Sequence, residues 1–207
     1  MILRINPEKP DAKDIHKVAD VLRSGGIIIY PTDTVYGLGC DIYQPKAIER
    51  LCRLKGIAPE KANLSIICHD LSHLADFAKP ISTSIFRVLK KALPGPYTFI
   101  LEANTKVPKL FQNKRKSVGI RVPENKIVQE IVKALGNPIV STSVHDLSDE
   151  MLDYYADPDK LAENYVDKVD VVINGGYSNI QASTVVDCTD GEFVVVRQGL
   201  GETEHLW

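Results

Sequence analysis

Ser183-Thr184-Val185-Val186-Asp187-Cys188-Thr189-Asp190-Gly191-Glu192-Phe193-Val194-Val195-Val196-Arg197 reads as two strands joined by a tight turn. The apolar runs 183–188 and 193–197 flank Asp190-Gly191, a dipeptide that accepts the positive φ a hairpin turn demands. Strands this close in the chain pair antiparallel, because parallel neighbours need a crossover of a dozen or more residues. A purely parallel, doubly wound sheet is thereby excluded.

Upstream, helices and strands interleave. After a short strand at Ile2–Ile5, the segment Asp11–Arg23 places Ile15, Val18, Ala19 and Leu22 on one helical face, and Gly25-Gly26 stops it. Ile27–Tyr30 reads as a buried strand that Pro31 breaks into a loop, and Pro45–Lys55 as a helix ending at Gly56. Leu64–Cys68 is a further strand, Ile81–Leu93 a helix stopped by Pro94-Gly95-Pro96, and Tyr97–Leu101 a strand. Lys106–Lys116 is a basic connection, followed by a strand at Val118–Val122, a helix at Lys126–Leu135 and a strand at Ile139–Ser143. A helix around Asp157–Val166 and the apolar run Val169–Ile173 lead to the hairpin. The expectation is an α/β fold with a twisted, mixed, largely antiparallel sheet covered by helices. No repeat, low-complexity tract or long linker marks a boundary, so residues 1–207 read as a single domain.

Composition narrows the function classes. With 44% hydrophobic and 25% charged residues the chain is neither disordered nor fibrous. Its apolar runs fall far short of the roughly 20 residues a membrane span needs, and Pro7 and Glu8 interrupt any export signal, so the expected location is the cytoplasm. Cys40, Cys52, Cys68 and Cys188 form no C-x-x-C pair and read as buried free thiols. His69 and His73, four residues apart without a third ligand nearby, read as a solvated pair. The net charge of −2 hides an asymmetry: Ile85–Arg121 carries nine basic residues against Glu102 alone, while Asp146–Asp170 carries nine acids against two lysines. That pattern fits either a polyanion-binding face or two solvated faces that compensate each other.

No phosphate loop, dinucleotide fingerprint, serine elbow or zinc-protease motif is present. What recurs is strand ends rich in hydroxyls, glycines and arginines: Pro31-Thr32-Asp33-Thr34-Val35-Tyr36-Gly37-Leu38-Gly39, Val118-Gly119-Ile120-Arg121-Val122-Pro123, Ser141-Thr142-Ser143, Ser183-Thr184 and Arg197-Gln198-Gly199. Hydroxyl donors, close backbone approach at glycine and bidentate guanidinium groups are the parts that bind carboxylates and phosphates. Each piece alone also suits an ordinary strand end or turn. Convergence of all five would make a site for a small anion.

Together with Leu54-Lys55-Gly56 and Pro94-Gly95-Pro96-Tyr97-Thr98, these segments stand in the order and spacing of the YrdC-like family, which the chain resembles from about residue 14 to 200. Ser141-Thr142-Ser143 without a following Ala-Asn, and the basic Asn113–Lys116 approach to Arg121, are most similar to its YciO branch. The resemblance implies an α/β sandwich with a deep basic cavity. It also implies an enzyme that condenses L-threonine, bicarbonate and ATP into threonylcarbamoyl adenylate, a nucleotidyl transfer that releases pyrophosphate and serves tRNA modification. By matching position, Thr34, Arg121, Thr142 and Ser183 would hold threonine, with Tyr36 and Thr184 lining the pocket. Lys55, Ser117, Ser143 and Arg197 would face the nucleotide, and Lys55, Arg121 and Arg197 would neutralise charge in catalysis. Mg²⁺ would be held mainly by the nucleotide's phosphates, no carboxylate metal cluster being evident.

The chain departs from the family's synthases at three places. Ile57 stands where an arginine follows Lys-x, Asn63-Leu64 replaces Pro-Leu, and Ser143-Val144-His145 replaces Ser-Ala-Asn. Arg53, Lys61 or one of Lys114–Lys116 could supply the missing cation, and His145 reads either as a polar contact or as a loop cap. These departures imply weak or altered synthase activity. The alternative is a binding protein of the same fold whose basic window grips double-stranded RNA or tRNA through its phosphates, with strong salt dependence. A carbamoyl-transfer or hydrolytic role on another carbamoylated nucleotide uses the same pocket.

Overall fold

The computed structural model describes residues 1–58, 62, 64–108, 116–144, 156–165 and 167–207. In chain order the elements are β1 (Ile2–Arg4), α1 (Ala12–Arg23), β2 (Ile28–Tyr30), β3 (Gly37–Asp41), α2 (Pro45–Leu54), β4 (Ser65–Ile67), α3 (Leu71–Ala75) and α4 (Thr83–Ala92). Then follow β5 (Tyr97–Glu102), β6 (Ser117–Arg121), α5 (Lys126–Leu135), β7 (Ile139–Ser143), α6 (Pro158–Tyr165), β8 (Val171–Asn174), β9 (Thr184–Asp187) and β10 (Val194–Arg197). The helix ends follow local chemistry. Asp11 caps α1 by accepting from the Lys13 amide at 2.7 Å, Asn125 caps α5 through the Val128 amide, and Gly136 ends α5 at φ +81°.

All ten strands join one sheet in the order β1-β8-β2-β3-β7-β4-β6-β5-β9-β10. Five of its nine pairings are antiparallel and four parallel, which makes it mixed with an antiparallel majority. The Asp190-Gly191 hairpin forms as β9–β10, Gly191 taking φ +82°.

Strand alternation sends side chains to two unequal layers. On one face Leu38, Cys40, Ile66, Phe99, Leu101, Val118, Ile120 and Val186 meet α2, α3, α4 and α6 in the larger core. On the other, Ile28, Tyr30, Ile67, Ile139, Val171 and Ile173 meet only α1 and α5. No apolar residue of β5, β6, β9 or β10 belongs to this second core. That half of the face holds Thr98, Ser117, Gly119, Arg121 and Arg197 instead, and it forms the floor of a cavity.

Two elements differ from the sequence reading. Residues 37–41, read as the tail of a loop, form the inner strand β3, and α3 was not foreseen at all. Gly37 and Gly39 weaken strand propensity locally, yet the packing requires them. A Cβ on Gly37 would lie 2.7 Å from Tyr30 Cζ, and one on Gly39 would lie 2.5 Å from Ile139 Cγ2 and 2.6 Å from the Val140 carbonyl oxygen. Tyr30 on β2 thus fills the space that side chains on β3 would need. Gly→Ala at an unstrained position with room to spare stabilises slightly, whereas Gly39→Ala is expected to cost about 1–3 kcal/mol through overpacking. Urea denaturation would show a lower midpoint at unchanged slope.

Candidate functional site

The cavity has a volume of about 380 Å³ and opens on the half of the sheet that α1 and α5 leave bare. Its floor is set by register. One rung across the sheet joins Gly39, Ser141, Ser65, Gly119 and Ile100, small or hydroxyl-bearing except at its end. On the next rung Arg121 pairs with Ile67, and farther along Thr98, Val185 and Arg197 are partners in turn.

Arg121 is the best-anchored charge. It is 9% exposed, and its Nη2 donates to Asp33 Oδ1 at 2.9 Å and to Thr34 Oγ1 at 3.0 Å. Asp33 is committed on its other oxygen as well, accepting from the Glu124 amide at 3.1 Å. Thr34 is held in place by Thr32, whose Oγ1 accepts from the Thr34 amide and donates to the Val35 carbonyl. Arg121 Nε, in contrast, is buried and has no hydrogen-bond partner among the described residues. A buried guanidinium N–H left open costs free energy until an acceptor arrives.

Arg197 reaches the same cavity by a β-bulge. Val195 pairs with Val186, but the next partner, Val185, faces Arg197 rather than Val196. Val186 lies in the larger core and Val185 lines the cavity, so the extra residue turns Arg197 toward the cavity instead of the opposite face. Its Nη2 donates to the Ser183 carbonyl at 2.8 Å, and Thr98 and Ser183 hydroxyls lie 2.8 Å apart. Burial, with the neighbouring Arg121 cation, lowers the Arg197 pKa from its ordinary value. The two guanidinium groups therefore feel each other across the cavity.

Of the residues singled out from the sequence, Tyr36, Ser117, Arg121, Thr142, Ser143, Ser183 and Arg197 line the cavity. Thr34 stands directly behind it on Arg121. Lys55 is buried beside it, its Nζ donating to the Ser143 carbonyl at 3.2 Å. Tyr36 presents its edge to the cavity while its hydroxyl donates to the Gly176 carbonyl and accepts from the Gly175 amide; burial pushes that hydroxyl up to about 12. Thr184 faces away: fully buried, it donates to the Gly201 carbonyl and accepts from the Gly199 amide, bracing the turn after β10. Sequence reasoning assigned no role to Asp33, Ser65, Thr98 or Ser141. Period-two alternation on β4, β5 and β7 is the signal that would have found the last three.

Ile57 and Arg53 are both exposed on or after α2. Lys61, Asn63, Lys114, Arg115 and His145 lie outside the described residues. The basic window divides: α4, with Arg87, Lys90 and Lys91, covers the larger core on the face opposite the cavity, and Lys106 pairs with Asp76. All four cysteines are buried, and burial pushes Cys40, Cys68 and Cys188 up, Cys188 to about 12, so these three are not thiolate nucleophiles at neutral pH.

The histidine pair is not the solvated one expected. Asp70 caps α3 by accepting from the His73 amide, which turns His73 inward against Phe77, with its Nδ1 2.8 Å from His69 Nδ1. Burial, reinforced by His69, lowers the His73 pKa to about 4.

The family model Sua5_yciO_yrdC, described as telomere recombination, matches residues 20–199. The YciO protein of Escherichia coli is 40% identical over 97% of this chain and 96% of its own length, and its crystal structure superposes with a TM-score of 0.90 at 37% identity over 99% and 98% of the two chains. The threonylcarbamoyl-AMP synthase of Halorhodospira halophila is 34% identical over 63% of this chain and 68% of its own. The crystal structure of P. abyssi Sua5 complexed with L-threonine matches with a TM-score of 0.87 at 27% identity, covering 96% of this chain and 57% of that one.

Two stability measurements probe these contacts. Asp33→Asn leaves the Arg121 charge buried without its counter-ion, and urea denaturation is expected to show a loss of about 3–5 kcal/mol, against about 1 kcal/mol for Thr34→Ala. Because His73 titrates lower folded than unfolded, its contribution is complete above about pH 6.5 and is lost as pH falls toward 4. The urea midpoint is expected to drop over that window and to drop less in His73→Gln.

Proposed function

The chain belongs to the Sua5_yciO_yrdC family, and from that premise we propose that the cavity binds a nucleoside triphosphate together with a small amino acid such as L-threonine and joins them, through bicarbonate, as a carbamoyl adenylate. The observation that carries this reading is the buried, partnerless Arg121 Nε beside a second arginine, in a cavity floored by hydroxyls. Such a site awaits oxyanions. In support, relatives named threonylcarbamoyl-AMP synthase align over much of the chain, and the Sua5 of P. abyssi has been seen with L-threonine.

In this reading the amine nitrogen of threonine attacks the carbon of bicarbonate, forming a carbamate with loss of water. A carbamate oxygen then attacks the α-phosphorus of ATP, and the bond to the departing pyrophosphate breaks. Arg121 takes the threonine carboxylate, with Thr34 orienting the guanidinium and Ser183 and Thr142 at the cavity wall. Lys55, Ser117, Ser143 and Arg197 serve the nucleotide and its phosphates. Positioning and charge neutralisation carry the rate, each lost donor being worth about 10²–10³-fold. Among the described residues no group of three His, Cys, Asp or Glu side chains could hold a metal ion. In this reading Mg²⁺ enters as part of the nucleotide, where it would neutralise the phosphates.

The rival RNA reading draws on the basic window, which the fold spreads over both faces of the sheet. One experiment separates the two. Purified protein is incubated with ATP, Mg²⁺, L-threonine and bicarbonate, pyrophosphate is followed, and threonylcarbamoyl adenylate is sought by mass spectrometry. We expect product that depends on threonine and bicarbonate and falls at least about 100-fold in Arg121→Ala. No product, with double-stranded RNA bound at low salt and released steeply as salt rises, would overturn the enzymatic reading.

A further inference from the structure

The side chains that wall the cavity include two guanidinium groups and several hydroxyls but, among the described residues, no carboxylate and no imidazole. An α-ammonium entering beside Arg121 and Arg197 would meet like charge and few acceptors. Several of the acceptors that exist are already engaged from behind. The Ser143 carbonyl accepts from Lys55 Nζ and the Ser183 carbonyl from Arg197. Ser141 Oγ accepts from the fully buried Tyr30 hydroxyl, which leaves its hydrogen to be donated, while Thr34 Oγ1 accepts from Arg121 and spends its hydrogen on Thr32 Oγ1.

Resting on the functional reading above, we propose that the cavity admits the amino acid only as its neutral-amine anion, shedding the ammonium proton to solvent on entry, so that the nucleophile is ready without a general base. β6 offers Arg121 and β10 offers Arg197, with Lys55 beyond α2 behind Ser143. Tyr36 presents a hydroxyl fixed between Gly175 and Gly176, and burial keeps it protonated. Asp157 and Asp159 raise the pKa of that hydroxyl further, and neither lines the cavity. Asp33, the acid behind the wall, spends both oxygens on Arg121 and the Glu124 amide. Among the described residues Arg121, Arg197 and the nearby Lys55 stand against Asp33 alone, so the local charge is net positive. A positive field disfavours the protonated form of any base placed in it.

The test is calorimetric titration of the full chain with L-threonine between pH 6.5 and 8.5, in buffers of differing ionisation enthalpy. Binding of the neutral-amine form alone predicts that Kd falls about tenfold per pH unit, because the α-ammonium still holds its proton through most of this range. Close to one proton should be released per threonine bound at pH 7. 2,3-Dihydroxybutanoate, which keeps the carboxylate and hydroxyl but has no ammonium, should bind at least tenfold more tightly than threonine at pH 7 with little pH dependence. Threonine affinity that is flat with pH and releases no proton would overturn the proposal while leaving the functional reading intact. Failure of both compounds to bind would instead remove the amino-acid site, and the proposal with it.

Discussion

A sheet of ten strands has more area on its two faces than the six described helices cover. Four helices close one face against the larger core, while α1 and α5 close only the other face's β1-to-β4 side. Exposing a wide apolar surface over the remainder would be unfavourable, and the chain places mainly serine, threonine, glycine and arginine there, with Ile100, Val185 and Val196 at one side. The site is thus a consequence of incomplete cover. Given a bare, concave piece of sheet, the buried charge upon it has to be compensated from below, and the Asp33–Arg121 pair does so with side chains 10% and 11% exposed. Everything else in the cavity is arranged about that fixed cation.

Helices with caps and the Asp190-Gly191 hairpin were legible from the sequence because their signals are local: Asp11, Asn125, Gly136 and Gly191 act within a few residues of themselves. Strand β3 was not. Its glycines read as loop residues until the ring of Tyr30, seven and nine residues upstream and on another strand, explains why no side chain fits. His73 misled for a similar reason, since the Asp70 cap decides which way it turns.

The candidate site was legible as a set of residue types and less so as a geometry. Motif matching gathered most of its lining residues, but it set Thr184 beside Ser183 in the pocket although adjacent strand residues point to opposite faces. It passed over Asp33, whose partner lies 88 residues away. It also passed over Ser65, which carries no motif and enters through register alone, and gave no role to Thr98 although a motif ends on it.

The bulge in β10 makes Arg197's place a matter of counting. Were β10 to pair with β9 without its bulge, composition, charge and motif wording would be untouched, yet Val196 would stand beside Val185 and Arg197 would point into the opposite layer. Side-chain identity cannot report such a change. Two relatives with the same letters around this strand are therefore chemically equivalent only if their strands are also in phase, and parity along β10 is a property that divergence can alter in a single step.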